Sequence, residues 1–157
     1  MKLVLVGKAA AGKDHLRKRL MDQGLKFGVS CTTRPPRPGE EHGKDYYFLS
    51  DFEFLNLIEA NLLIEYQKFN GWYYGMTYVE FNDCDVMILN REAVDLLPAE
   101  IRSQCVVLFL DIEQEIRRQR MEERNDTADS LDRRIQADEE QYKDFKNFDI
   151  RVTNHDF

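Results

Sequence analysis

The sequence contains few cysteines, and they are too scattered to form a recognisable metal or redox motif. Cys31, Cys84 and Cys105 are the only three in 157 residues, and no two of them form a CxxC pair. A zinc site is therefore not expected. Reduced thiols in a cytoplasmic protein are the simplest interpretation of such a set.

Long apolar runs and an excess of positive charge are also missing. The apolar run at residues 3–6 is too short for a signal peptide, and Gly7 and Lys8 follow it instead of a cleavage site. No run approaches the roughly 20 residues that a membrane-spanning helix needs. With 22 Lys and Arg against 29 Asp and Glu, the net charge is -7. We therefore expect no membrane or nucleic-acid partner. A small anionic ligand held by local arginines is still compatible with this net charge. Oligomeric state is left open.

The apolar residues that are present fall into segments typical of an α/β fold. The chain is 43% hydrophobic and 32% charged, and its length suits one domain with its own core. Core-type strands alternate with helical patterns, which predicts a parallel sheet flanked by helices. The predicted strands cover residues 3–6, 26–31, 85–90, 105–111 and 149–154. The predicted helices cover residues 13–23, 51–61, 91–97, 112–124 and 130–146.

Two further patterns lie between the first and third predicted core strands. Ser50 and Glu53 have the spacing of a capping box at the start of a helix. Asn70 and Gly71 separate two apolar segments, which predicts a β-hairpin. The segment that precedes the capping box is rich in proline, glycine and charge, so we expect irregular structure there.

The first strand and the first helix are joined by a phosphate-binding pattern. Gly7, Gly12 and Lys13 fit GxxxxGK, with a strand before and a helix after the motif. Backbone N–H groups of residues 9–12 and the helix start then surround phosphate oxygens, while Lys13 reaches the outer phosphates. The alternative is a glycine-rich turn with a solvated Lys13. Lys8 is expected to point to solvent.

The residues of this cradle that we expect to hold the phosphates of a nucleotide are Gly7, Ala9, Ala10, Ala11, Gly12, Lys13 and Asp14. Asp14 departs from the motif, which has Ser or Thr as the Mg²⁺ ligand at that position. A carboxylate is a good ligand for Mg²⁺, directly or through water, so Asp14 is the candidate metal ligand. It can equally be a helix-start acid that favours the helix dipole without metal contact.

A second candidate anion site lies in the segment SCTTRPPRPGEEHGKDY, residues 30–46. Arg34 and Arg37 are three residues apart in a loop stiffened by three prolines. Arginine forks suit a phosphate or a carboxylate. Taken alone, the segment is equally well explained as a solvated basic loop.

Four segments in order resemble the guanylate kinases, which transfer the γ-phosphoryl group of ATP to GMP. They are the cradle, VSCTTRPPRPGEEHGKDYYF, IEYQKFNGWYYGMT and RRQRMEERNDTADSLDRRI, and the second is the most specific. The resemblance implies a P-loop NTPase-type parallel sheet with an inserted nucleoside-monophosphate-binding subdomain and a helical lid. Within a single domain of residues 1–157, the core would be residues 1–31 and 78–157, the acceptor-binding segment 32–77 and the lid 124–134.

The resemblance also implies roles for individual residues, with ATP as phosphoryl donor and Mg²⁺ as cofactor. Arg34, Arg37, Tyr46 and Tyr74 would bind the GMP phosphate, and Ser30 and Glu65 would contact guanine. Guanine offers neighbouring N–H donors that one carboxylate can accept, whereas adenine does not, so the residue type of Glu65 suits the base. Glu65 can also be an outward-facing strand residue, and both tyrosines can be packing residues.

The arginines of the last motif are expected to be mostly solvated and ion-paired, because glutamates are interleaved with them. Arg117 belongs to this set. Arg124 and Arg134 match the lid arginines of the family and would neutralise the transferred phosphoryl group, which needs positioning and charge more than a base. Asn154 matches a position near the adenine but can equally be a strand-end cap.

The sequence departs from the family where two acids, spaced DxD, normally end the third core strand. The chain has VMILNRE, so Asn90 stands at one of these positions, and we assign it to the acceptor site. Asp14 is hypothesised to compensate for the missing acid near the metal. Met76 stands where the family often has a hydroxyl. These departures keep two alternatives open: a guanylate-kinase-like binding module without catalysis, and a kinase for another deoxynucleoside monophosphate.

Overall fold

The computed structural model describes residues 1–124 and 128–157, which contain eight strands and seven helices. The strands are β1 (Lys2–Gly7), β2 (Cys31–Thr32), β3 (Tyr47–Phe48), β4 (Leu63–Phe69), β5 (Trp72–Thr77), β6 (Val86–Ile88), β7 (Cys105–Leu110) and β8 (Ile150–Val152). The helices are α1 (Lys13–Asp22), α2 (Asp51–Glu59), α3 (Tyr78–Asp83), α4 (Arg91–Leu96), α5 (Ala99–Arg102), α6 (Gln114–Glu123) and α7 (Ala128–Tyr142).

The central sheet has the strand order β6-β1-β7-β8, and every neighbouring pair in it is parallel. The inner strand β1 is apolar because both faces of the sheet are covered there, and its residues Val4, Leu5 and Val6 have no exposed surface. The predicted α/β fold with a parallel, helix-flanked sheet is confirmed. Since all strands run the same way, the loops after β1 and β6 meet at one edge, where ligands bind in sheets of this kind.

A second four-stranded sheet has the order β3-β2-β5-β4 and lies outside the sequence prediction, except for its hairpin. The predicted hairpin is formed by β4 and β5, which pair from Leu63 opposite Thr77 to Phe69 opposite Trp72. Asn70 and Gly71 both have positive φ, 49° and 83°, as a two-residue hairpin turn requires.

The predicted strand at residues 26–31 is wrong for most of its length. Only Cys31 belongs to a strand, and Phe27 forms an isolated bridge with Val86. Side chains take the backbone groups that a ladder needs: Asp85 accepts from the Lys26 N–H at 2.8 Å, and Glu80 accepts from the Val29 N–H at 2.9 Å. These carboxylates come from α3 and the turn after it, an element that the sequence analysis missed.

Helix starts and aromatic packing place the remaining elements. The capping box at α2 forms as predicted, because the Ser50 side chain accepts from the Glu53 N–H and Glu53 accepts from the Ser50 N–H. The end of α7 is fixed by Tyr142, whose ring stacks on Phe109 of β7 with centroids 5.6 Å apart. In the described part of the chain, no helix combines the length and apolarity that crossing a bilayer requires.

Candidate active site

The loop between β1 and α1 is folded as a tight cradle. Gly12 precedes α1 with a φ of 98°, a conformation that favours glycine. A Cβ on Gly7 would lie 2.8 Å from the Leu110 carbonyl oxygen, so only glycine fits against β7 there. The Lys13 Nζ donates to the carbonyl oxygens of Gly7 at 2.5 Å and Lys8 at 3.0 Å. Burial lowers the pKa of Lys13 to about 8, while the charges of Asp138 and Asp14 act in the opposite direction.

Helix α7 contacts the cradle through carboxylates. The Ala9 N–H donates to Asp138 Oδ2 at 2.9 Å, so one of the cradle amides is bonded to a side chain of α7. Arg117 of α6 is fully buried and supports this contact, with ion pairs to Asp138 at 3.6 Å and to Glu139 at 2.6 Å. The expectation of a solvated Arg117 is therefore wrong, although the residue is ion-paired as expected.

The expectation for Lys8 is wrong as well. Its side chain is buried rather than directed to solvent, and its Nζ lies 3.0 Å from Glu139 and 3.7 Å from Asp111. Both acids are distant in sequence: Asp111 directly follows β7, and Glu139 lies within α7. A lysine next to a phosphate-binding glycine gave no sequence signal of this pairing, because tertiary contacts decide it.

Asp14 lies in the first turn of α1, on the exposed side of the helix. Its carboxylate is 78% exposed and lies 3.6 Å from the Arg17 Nε, one helical turn on. Asp14 also borders a cavity of about 230 Å³ together with Lys13, Arg34 and Arg37. The carboxylate is thus accessible from the space between the cradle and the two arginines. Across the described residues, no three Asp, Glu, His or Cys side chains group as a metal site.

Arg34 is held rigidly at the wall of that cavity. Glu40 accepts from both terminal nitrogens of its guanidinium, at 2.8 Å and 3.0 Å, which raises the pKa of Arg34 above its usual value. The guanidinium carbon lies 5.3 Å from the ring centroid of Tyr46 and 5.9 Å from that of Phe48. Arg37 is exposed, and its N–H donates to Glu40 at 2.7 Å.

A neighbouring cavity of about 240 Å³ lies against the hairpin β4–β5. Glu65 is buried in its wall, and in the described structure its Oε2 has no hydrogen-bond partner. Burial raises the pKa of Glu65 to about 8, partly offset by a hydrogen bond from the Met76 backbone. A buried acceptor without a donor is energetically costly, so this carboxyl suits a ligand that brings N–H groups.

Most of the predicted acceptor residues border one or both of these cavities. Lys13, Ser30 and Tyr46 line both, and Tyr74, Glu65 and Asn90 line the second. The rings of Tyr46 and Tyr74 meet edge to face with centroids 6.1 Å apart. Met76, whose side chain replaces a hydroxyl of the family, is fully buried beneath the hairpin.

Asn90 has a structural task in addition to its place in the cavity wall. It is the N-cap of α4, and its Oδ1 accepts from the Ala93 N–H at 2.9 Å. The same oxygen accepts from Gln67 Nε2 at 2.5 Å. Glu92, the acid two residues after Asn90, accepts a hydrogen bond from Gln141 of α7 at 2.6 Å.

A third cavity lies on the opposite side of the cradle. Its wall includes Ala10, Gly12, Arg120, Arg124 and Phe157. Arg120 holds the cradle from this side, because its Nη1 donates to the Ala10 carbonyl at 2.9 Å.

Among the residues assigned to ATP or to the lid, Asn154 and Arg134 line none of these three cavities. Asn154 is exposed, and its Oδ1 accepts from the Asp156 N–H at 3.0 Å in a local turn. Arg134 lies on the exposed side of α7. Residues 125–127 of the predicted lid lie outside the described residues. The roles assigned to Arg124, Arg134 and Asn154 stay predictions.

Three site residues were missed by sequence reasoning. Gln67 had a usable signal, because it is two residues after Glu65 on the same strand and therefore on the same face. Glu40 follows Pro38 and Gly39, a turn pattern that can bring it back to Arg34. Asp138 had none, since its contact with Ala9 spans 129 positions.

Comparison with known proteins gives the relationship. The sequence model described as guanylate kinase matches residues 1–157. The chain is 34% identical over 163 residues to a guanylate kinase of Synechococcus sp. (strain JA-3-3Ab), covering 97% of this chain and 74% of that one. It is 36% identical over 170 residues to a guanylate kinase of Homo sapiens, covering 97% and 84%. The fold is similar to the crystal structure of guanylate kinase from Anaplasma phagocytophilum, with a TM-score of 0.73 at 23% identity, covering 99% and 77%.

Proposed function

The chain belongs to the guanylate kinase family of nucleoside monophosphate kinases, and we propose that it transfers the γ-phosphoryl group of ATP to GMP or dGMP at the cavities bordered by Lys13. In this step a phosphate oxygen of the acceptor attacks the γ-phosphorus while the bond to ADP breaks, giving ADP and the nucleoside diphosphate. One observation carries the proposal. The cradle lysine borders both the arginine-lined cavity and the cavity that contains Glu65.

The two acceptor cavities would bind different parts of the nucleotide, one the phosphate and the other the base. Arg34 and Arg37 would hold the acceptor phosphate beside Lys13, supported by Tyr46 and Tyr74. Because Glu40 already fixes the Arg34 fork, little side-chain entropy remains to be lost on binding. Ser30 and Glu65 would contact the base. The buried, unsatisfied Glu65 carboxyl supports guanine, whose N–H donors it can accept once ionised.

On the donor side, the backbone of residues 7–13 would hold the phosphates of ATP. Arg124 and Arg134 would close from the lid at residues 124–134, over an acceptor-binding segment at residues 32–77. Phosphoryl transfer depends on positioning and on neutralising charge, so this set of cations supports catalysis without a strong base. Lid closure would also exclude water, which would otherwise compete as acceptor.

The residues present fit a magnesium ion that is held mainly by the nucleotide. Mg²⁺ keeps several waters and needs only one or two carboxylates besides the phosphates. Asp14 offers one accessible carboxylate beside Lys13, and it is the residue we propose as ligand, directly or through water. When bound, Mg²⁺ would neutralise phosphate charge and fix the geometry of the γ-phosphoryl group. A cytoplasmic location is part of the proposal, supported by three buried cysteines that are unpaired in the described structure.

A coupled assay of ADP release tests the proposal. The purified chain is supplied with ATP and, one at a time, GMP, dGMP, AMP, CMP, UMP and dTMP, with and without Mg²⁺. We expect turnover with GMP and dGMP that depends on Mg²⁺, and at least a hundredfold lower kcat/KM with AMP because its base edge cannot pair with Glu65. An absence of turnover with every acceptor would contradict the proposed function, and preferential turnover of a pyrimidine nucleotide would contradict the assignment of Glu65.

A further inference from the structure

The acceptor cavity contains an amide pair that the proposed function does not use. Gln67 and Asn90 both line the cavity that holds Glu65. Their side chains are bonded to each other, from Gln67 Nε2 to Asn90 Oδ1 at 2.5 Å. The pair therefore joins the hairpin strand β4 to the start of α4, across the opening beside the buried carboxyl.

The orientation of both amides follows from the start of the helix. Ala93 N–H can only donate, and it lies 2.9 Å from the Asn90 side chain, so the Asn90 atom at that point must be the carbonyl oxygen. The Gln67 atom that meets the same oxygen must in turn be the donor Nε2. This arrangement leaves the Gln67 Oε1 as the acceptor that the residue can offer to a ligand.

Strand geometry places this acceptor beside the carboxylate. Residues two apart on a strand share a face, and Glu65, Gln67 and Phe69 of β4 all border the cavity. Tyr66 and Lys68 lie on the other face and are exposed. The cavity wall thus presents two neighbouring acceptor groups, one on Glu65 and one on Gln67.

Guanine carries three N–H bonds on the edge that a carboxylate reads, one on N1 and two on the 2-amino group. A single carboxylate accepts one from N1 and one from the amino group, and the second amino N–H is left over. We propose that Gln67 is a specificity-determining residue that accepts this remaining N–H, and that Asn90 is the positioning residue that aims it. The inference rests on the proposed function, because it assumes that guanine lies against Glu65.

Inosine monophosphate provides the test, because hypoxanthine keeps N1–H and lacks the 2-amino group. The measurement is kcat/KM for GMP, dGMP and IMP with the wild-type chain, Gln67→Leu and, as a matched control from the opposite face of β4, Lys68→Leu. We expect Gln67→Leu to lower the GMP/IMP ratio about tenfold, the size of one lost hydrogen bond, chiefly through GMP. Lys68→Leu should leave the ratio unchanged.

Asn90 supplies a second, independent readout. Asn90→Ala removes both the helix cap and the partner of Gln67, so we expect a lower Tm and the same fall in the GMP/IMP ratio. Asn90→Asp keeps an oxygen for the Ala93 N–H and for Gln67 Nε2, and we expect it to restore most of the ratio. A lower Tm with an unchanged ratio would mean that Asn90 is only a cap, and would overturn its positioning role.

The outcomes separate this inference from the function on which it rests. Equal losses for GMP and IMP in Gln67→Leu, or no loss for either, would overturn the inference while leaving the kinase assignment intact. A change confined to the GMP/dGMP ratio would also overturn it, because Gln67 would then contact the ribose. Failure of the wild-type chain to phosphorylate any of the three nucleotides would contradict the proposed function itself.

Discussion

The donor and acceptor sides of the site differ in how far their polar groups are already satisfied. On the donor side, the Ala9 N–H is bonded to Asp138, and Lys13 is bonded to two carbonyl oxygens of its own loop. On the acceptor side, Glu65 keeps a buried oxygen without a partner in the described structure. ATP must therefore replace internal contacts, whereas the guanine base of GMP supplies the contact that Glu65 is missing. The first exchange costs part of the binding energy, and the second relieves an existing penalty.

The donor and acceptor sides also differ in which of their parts are held rigidly and which are expected to move. Arg34 is clamped by Glu40 within one loop, so its guanidinium is already held in one position at the cavity wall, with both terminal nitrogens bonded to the Glu40 carboxylate. Asp138 lies on α7, whose first turns, from Ala128, fall within the predicted lid, so its contact with Ala9 links the cradle to the part of the site expected to move. Donor binding and lid position are coupled if displacement of Asp138 accompanies entry of the phosphates.

The largest expected effect comes from removing the residue that serves both sides. Lys13→Met keeps the length and the apolar stem of the side chain but removes the ammonium group. We expect kcat to fall by roughly a hundredfold to a thousandfold, the range for loss of one charge-stabilising donor at a reacting group. Steady-state assays with saturating ATP and GMP measure it, and calorimetric GMP binding tests whether the acceptor site is still folded, because Arg34 and Glu65 are untouched. A kcat within fivefold of wild type would contradict the central role of Lys13.

The acceptor side predicts a pH dependence opposite in direction to that expected from Lys13, whose pKa is lowered to about 8 by burial, so that its charge is lost as the pH rises. The pKa of Glu65 is raised to about 8, so in the ligand-free protein the carboxyl is mostly protonated at pH 6. Guanine N–H groups need the ionised form, so GMP binding must release a proton below pH 8. We expect the dissociation constant for GMP to fall by up to about tenfold per pH unit from 6 towards 8 and then to level off. Calorimetry in two buffers with different ionisation enthalpies measures the released proton.

The raised pKa of Glu65 also determines the direction in which the stability of the fold changes with pH. A carboxyl with a raised folded-state pKa stabilises the fold while it is protonated, fully below its ordinary value near 4.5. That contribution is lost progressively as the pH rises through about 8. Glu65→Gln should therefore have a flatter Tm profile between pH 6 and 9 than the wild type, together with weak, pH-independent recognition of guanine. Parallel profiles for the two proteins would contradict the assignment of the shift to Glu65.

Local patterns predicted features on both sides of the site well where interactions between near neighbours in the sequence determine the structure. The glycine spacing before Lys13, the Ser50 capping box and the Asn70 turn each act within a few residues, and each is present. The errors occur where a distant side chain decides the outcome. Residues 26–31 do not form the predicted strand, since Glu80 and Asp85 take the backbone donors of Val29 and Lys26. The contact of Asp138 with the cradle had no precedent in any local pattern, and neither did the burial of Lys8.

The smallest expected effect concerns the hydrogen bond between Asp138 and the Ala9 N–H. It tests the comparison of the donor and acceptor sides most directly. Asp138→Asn keeps the size of the side chain and an oxygen for the Ala9 N–H, but it removes the negative charge that faces the cradle. Charged acceptors bind more strongly than neutral ones, so phosphate should displace an amide more easily than a carboxylate. We expect the KM for ATP to fall about threefold to tenfold, with the KM for GMP unchanged. Steady-state titration of each nucleotide at saturating concentrations of the other measures both values.

Glu139→Gln is the matched control for this change. Glu139 is the next residue on α7 and pairs with Lys8 and Arg117, but the bond to the Ala9 amide comes from Asp138. Both variants remove one negative charge from the same turn of the helix, so a general electrostatic effect would lower the KM for ATP equally in the two proteins. An effect confined to Asp138→Asn means that the carboxylate competes with phosphate for one amide. Only that result supports the conclusion that a cradle amide on the donor side is occupied by a side chain of the protein, whereas the Glu65 carboxyl on the acceptor side lacks a partner until its ligand binds.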